Sequence, residues 1–177
     1  MDYSAMLQRI VRAVTFDMKF YGEAKADASL NREGLIIVIV VAILTGIGAL
    51  SGGIGALLLM LIMSVVGYYL ISYFVTIVSR NFFGGTGTQD QVQRVIAYSW
   101  APRALGLLGF IPCVGWVLSL AATIWSLAVA VVAVREVHAF DTTKAIITVV
   151  AGGVIVAVLT GLVGLIFGIG WMGLGAL

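Results

Sequence analysis

Residues 34–78 read GLIIVIVVAILTGIGALSGGIGALLLMLIMSVVGYYLISYFVTIV. No charged side chain interrupts them, and as one helix they would be about 68 Å long at 1.5 Å per residue. That is more than twice the roughly 30 Å of hydrocarbon in a bilayer, so the run must fold back on itself. The reversal belongs at SGGIG, residues 51–55, where glycine admits backbone conformations closed to other residues. Two antiparallel spans follow, 34–50 and 54–78, and their unbroken apolarity is not the alternation of a membrane β-strand.

The rest of the chain agrees. Hydrophobic residues make up 62% and charged residues 10% of its 177 residues, against roughly 45–50% and 25% in soluble domains. The expected fold class is therefore all-α: a polytopic membrane bundle of five transmembrane helices. Downstream, Thr88 precedes Gln91 at capping-box spacing and opens a third helix. It covers 91–110 and breaks near GFIPCVG. A fourth span covers 114–134 and a fifth, free of charge, covers 145–171.

Upstream of residue 34 lies a cytoplasmic segment, 1–33. Met6, Leu7, Ile10, Val11, Val14 and Met18 fall at helical spacing opposite Gln8, Arg9, Arg12, Thr15 and Lys19, an amphipathic helix suited to the membrane interface or to a partner surface. Phe20 and Tyr21 suit the same interface, and GEAKADASLNRE after them, mixed in charge, is expected to be solvated. Nothing in the first 34 residues resembles a cleaved secretory signal, so the N-terminus is expected to be retained.

Basic residues set the orientation, because cytoplasmic flanks keep an excess of them. With five crossings and the N-terminus inside, Arg9, Arg12, Lys19, Lys25, Arg32, Arg80, Arg94, Arg135 and Lys144 all fall on the inner side. The C-terminus is then outside, and the expected location is the cell membrane. Only Arg103 is left over. It lies about 13 Å of helix beyond Arg94, within the bilayer, where an arginine costs roughly 2.5–3.5 kcal/mol.

Pro102 stands beside it. Proline donates no backbone hydrogen bond and crowds the carbonyl four residues back, so carbonyls near 98 and 99, or the hydroxyls of Tyr98 and Ser99, are expected acceptors for the guanidinium. Arg103, Pro102, Tyr98 and Ser99 form a candidate ligand or lipid site. The alternative is snorkelling of the arginine toward phosphate. In the fifth helix Gly153, Ala157 and Gly161 repeat every four residues, and Gly164 and Gly168 repeat the spacing, a small-residue row that lets another helix approach.

Other chemistry is weakly represented. GGTGT, residues 84–88, lacks the lysine and preceding strand of a P-loop, so no nucleotide is expected there. His138, near Glu136 and Asp141, is expected at a helix terminus among carbonyls and solvent rather than on a metal. The single cysteine, Cys113, excludes an internal disulfide. No nucleophile has a base at matching depth, so neither an enzyme nor a cofactor is expected. A net charge of +2 by itself argues neither for nor against nucleic acid, and no nucleic-acid partner is expected.

GGTGT, then YSWAP at 98–102, IPCVGW at 111–116 and REVHAF followed by TTKA appear in order across residues 82–146. In these motifs the chain resembles the prokaryotic branch of the Yip family, membrane proteins named for interaction with Ypt/Rab GTPases. The resemblance implies five membrane helices, a cytoplasmic N-terminus and no catalytic residues. Eukaryotic members are associated with vesicle traffic, Rab binding and membrane shaping; with about 33 residues before the first span here, Rab binding is not carried over. Two functions stay open: a non-enzymatic scaffold or adaptor that binds lipid, other membrane proteins or itself, and a small transporter or channel for an anionic or lipid-like solute at Arg103.

Overall fold

A computed structural model of the chain describes residues 3–48, 53–111 and 113–174. Its helices are α1 Tyr3–Val14, α2 Met18–Ala26, α3 Leu30–Gly48, α4 Gly53–Phe83, α5 Gln89–Ser99, α6 Val114–His138 and α7 Thr142–Leu174, with a 3-10 helix, Ala101–Phe110, between α5 and α6. No strand occurs among the described residues. Among the described residues four helices are long and apolar enough to cross a membrane: α3, α4, α6 and α7. Of the SGGIG turn, Ser51 and Gly52 lie outside the described residues, as does Pro112.

The third expected span takes a form that apolar periodicity does not show. Its α-helical part stops at Ser99, three residues short of Pro102, and the chain continues as a 3-10 helix with Pro102 in its first turn. The physical cause is the proline, which disfavours α geometry in the residue before it and cannot donate to the α ladder. The composite runs alongside α3 in the same direction. A methyl on Gly34 would lie 2.7 Å from Ala97 Cβ, and one on Gly106 would lie 2.8 Å from Thr45 Cγ2. Close backbone approach therefore sets the register at both ends.

α4 has 31 residues and α7 has 33, about 46 and 50 Å, longer than a bilayer is thick. Tyr68, whose hydroxyl donates to the Gln93 carbonyl at 3.0 Å, marks the level where α3 begins its apolar run. Beyond it α4 continues for about 22 Å. There α7 packs against α4, with Gly152 so close that a methyl would lie 2.9 Å from Val75 Cγ2.

α1 and α2 pack against α5 and α6, which corrects two expectations. GEAKADASLNRE is exposed at most positions, as expected, but it is helical at both ends, its first half in α2 and its last residues from Leu30 in α3, and it buries Ala24, Leu30 and Glu33. Phe20 and Tyr21 do not sit at the lipid interface but are buried in the core, their rings edge-on to each other, with Phe20 also edge-on to Tyr98 at 4.8 Å between centroids. Removing each such ring from water is worth about 1.5–3 kcal/mol, enough to override the polarity of the surrounding sequence. α1 buries Ala13 and packs Met6 and Ile10 on the core while leaving Tyr3, Leu7 and Val11 exposed. The joint between α1 and α2 is tight: Phe16 has a left-handed φ of 64°, and Asp17 caps α2 through Lys19 N.

Candidate functional site

Two arginines on the α5 and 3-10 segment, nine residues apart in the chain, meet opposite surroundings. Arg94 is buried and hydrogen-bonded on two sides. Its Nε donates to Asn31 Oδ1 at 2.7 Å and an Nη to the Lys25 carbonyl at 2.8 Å, so one side chain ties the end of α2 to the start of α3. Around it lies a network built by all three N-terminal helices. Arg9 forms a two-pronged ion pair with the buried Glu33, through Nε at 2.8 Å and through an Nη. Tyr98 donates its hydroxyl to the same carboxylate at 2.7 Å. Lys25 Nζ donates to the Val137 carbonyl at 2.6 Å, placing a cation at the end of α6 where the helix dipole is negative. At the surface Arg12 pairs with Asp17 and Glu23, and its hydrogen bonds hold both carboxyls below their usual range.

α1 is therefore held by protein contacts, and its Arg9 and Arg12 face carboxylates rather than lipid phosphate. Tyr98, expected as an acceptor for Arg103, is committed to Glu33. Ser99 donates to the Ile96 carbonyl at 2.6 Å, inside its own helix.

His138 closes the end of the bundle where α4, α5 and α6 meet. Its Nδ1 accepts from Gly87 N–H at 3.0 Å, so the proton sits on Nε2, which donates to Ser79 Oγ at 2.9 Å. Ser79 passes its own proton to the Val75 carbonyl at 2.6 Å. The histidine is buried, not among solvent as its place in the sequence suggests. It also explains GGTGT: a methyl on Gly87 would lie 2.4 Å from Val137 Cγ1, and one on Gly85 2.6 Å from His138 Nδ1. Among the described residues no group of His, Cys, Asp or Glu converges as a metal site.

Arg103 is the contrasting case. Its guanidinium lies 4.5 Å from the ring centre of Trp100. A 3-10 helix has three residues per turn, so the Arg103 side chain stacks above that of Trp100; in an α-helix the two would be offset. The Arg103 N–H donates to the Trp100 carbonyl at 2.9 Å, which fixes this geometry. Its side-chain nitrogens make no hydrogen bond or ion pair within the described chain.

They border a half-open cavity of about 450 Å³ lined by α4, the α5 and 3-10 segment, α6 and α7. Most of the wall is apolar. Its polar members besides Arg103 are Ser64, Ser99, Trp100, Ser126 and Thr160, and Ser126 Oγ is buried without a partner. Gly153 and Ala157 form part of the wall on α7, and a methyl on Gly153 or Gly161 would meet nothing within 4 Å. The neighbouring Gly152 makes the tight contact with α4 instead. The surroundings of Gly164 and Gly168 lie outside the described residues. Of the four residues expected at the site, Arg103 and Ser99 line the cavity, Pro102 shapes the turn, and Tyr98 points to Glu33.

The Yip1 domain profile matches residues 14–171, from the end of α1 into the last turns of α7. The chain belongs to the Yip family. No curated protein and no solved structure matches it. Within this Yip1 domain the GGTGT, YSWAP and REVHAF motifs serve one architecture: the glycines seat His138, Tyr98 and Trp100 face Glu33 and Arg103 respectively, and Pro102 forces the change of helix between them.

Sequence reasoning missed Glu33, Arg94 and Lys25 as buried or helix-terminal anchors. Only one signal pointed to them. Glu33 borders a long apolar run, and an acid there must find a partner or face water.

Proposed function

We propose that this Yip-family membrane protein is a non-enzymatic scaffold or adaptor in the cell membrane, binding other membrane proteins or itself together with lipid. It crosses five times, with the N-terminus cytoplasmic and the C-terminus outside. The observation that carries the reading is the division of labour in the bundle. Its inner polar side chains are spent on holding α1 and α2 in place, while α4, α6 and α7 turn apolar faces outward, among them Ile62, Ile124, Val158 and Leu162. Such faces are made for lipid or for another helix, and the open space at Gly161 supports close approach by a second helix.

The exposed Cys113, at the turn between the 3-10 helix and α6, tests the topology. A membrane-impermeant maleimide is expected to label it on intact cells; labelling only after lysis overturns the five-crossing arrangement. Cross-linking and pull-down in mild detergent test the scaffold. A chain recovered as a lone monomer with neither partner nor lipid contradicts it.

The cavity beside Arg103 favours a second reading, passage of an anionic or lipid-like solute. In proteoliposomes that reading requires flux that Arg103→Ala abolishes, and absence of flux in the wild type removes it.

A further inference from the structure

We propose that the cavity between α4, α6, α7 and the 3-10 helix binds an amphipathic anion, one oxyanion headgroup joined to an apolar tail. Three independent observations meet there. The Arg103 guanidinium lies over the Trp100 ring, and its side-chain nitrogens have no hydrogen-bond or ion-pair partner among the described residues. That fork matches the spacing of phosphate or carboxylate oxygens, and a ring behind it holds it ready. Ser126 contributes to the same wall, and its Oγ, like Thr148 Oγ1 outside the cavity, is buried without a partner, whereas Ser72, Thr76, Thr123 and Thr160 bond back to their own helices. The remaining surface is apolar and is kept open by Gly153 and Ala157.

Arg103 also borders a second cavity of about 310 Å³, with Thr45, Ser119 and Thr123. There the hydroxyls of Thr45 and Thr123 are satisfied by carbonyls of their own helices at 2.9 and 2.8 Å. Volume and the longer apolar wall point to the larger cavity. A free inorganic oxyanion would leave most of that cavity unfilled, whereas a headgroup carrying a hydrocarbon chain uses both kinds of wall.

The inference deepens the lipid-binding part of the proposed scaffold and rests on it. The test uses the full chain in a neutral maltoside detergent, titrated by native mass spectrometry with oleoyl lysophosphatidate, monooleoylglycerol and inorganic phosphate. Expected is one lysophosphatidate per chain, bound at least tenfold more tightly than the neutral lipid or the tailless anion. Arg103→Gln is expected to weaken it tenfold or more, since a hydrogen-bonded charge partner is lost. Gly153→Leu keeps the arginine and fills the cavity without a backbone clash; it should abolish binding while the thermal midpoint stays near wild type.

Wild-type affinity in both variants overturns the proposal, as does a wild type that takes up none of the three probes. Inorganic phosphate binding as tightly as lysophosphatidate, and surviving Gly153→Leu, assigns the arginine to a free anion and overturns the tail. If ligand binding fails while cross-linked partners persist, the cavity inference falls and the scaffold stands. Loss of both removes the scaffold as well.

Discussion

Arg94 and Arg103 carry the same side chain, face away from bulk water and stand nine residues apart on one continuous segment, yet they do different work. Around Arg94 the chain supplies acceptors: an amide oxygen and a helix-terminal carbonyl. Around Arg103 it supplies an aromatic face and empty space. A cation–π contact is worth about 0.5–2 kcal/mol and leaves the N–H donors open, while hydrogen bonds to a charged group are worth about 1.5–3 kcal/mol each and use the donors up. The first arginine is committed to the fold, and the second is held in readiness.

Substitution should expose that contrast. Arg94→Leu orphans the Lys25 carbonyl and Asn31 together, with an expected loss of about 3–4 kcal/mol in detergent unfolding. Arg103→Leu should cost less than about 1 kcal/mol, because no protein acceptor is left behind. Equal losses would erase the distinction.

Next in size is Glu33→Gln. It leaves Arg9 without a counter-charge in a partly buried site, for an expected 2–3 kcal/mol; in a double-mutant cycle with Arg9→Met the two losses should not add. Gly87→Ala drives a methyl into Val137 and the His138 ring, and is expected to cost about 1–3 kcal/mol in the same unfolding measurement.

The smallest effect concerns pH. Arg12 lowers the carboxyls of Asp17 and Glu23 in the folded state, so their contribution is complete above the ordinary carboxylate range. It is lost as pH falls through the depressed values. Both groups are exposed, so the slope of midpoint against pH should be shallow, and Arg12→Met should flatten it further.

How much of this could be read beforehand divides along the same line. Long apolar runs need no partner to be recognised, and α4, α6 and α7 were legible from hydropathy, as was the start of α5 from its capping box: Thr88 Oγ1 accepts from Gln91 N at 3.4 Å, and the Gln91 side chain accepts from Thr88 N at 2.9 Å. Glu33 was illegible because its partners stand 24 and 65 positions away, and a lone acid in a mixed-charge stretch looks solvated. Phe20 and Tyr21 were misplaced for the same reason. Burial against Tyr98 is a tertiary fact that no local window contains. Pro102 was read as a break, and α5 does end before it; Arg103 was read as a charge without a carboxylate that would pair with freed carbonyls or nearby hydroxyls or snorkel to phosphate. The freed carbonyls did not take the guanidinium, because the change to 3-10 geometry brought Trp100 underneath it first.

Hydrogen exchange across residues 3–33 of the full chain, compared between Arg94→Leu and Arg103→Leu, tests the two roles most directly. The account predicts that Arg94→Leu releases protection throughout α1, α2 and the first turn of α3, while Arg103→Leu leaves those amides as protected as in wild type. Equal protection in the two variants, or release by Arg103→Leu instead, would contradict it.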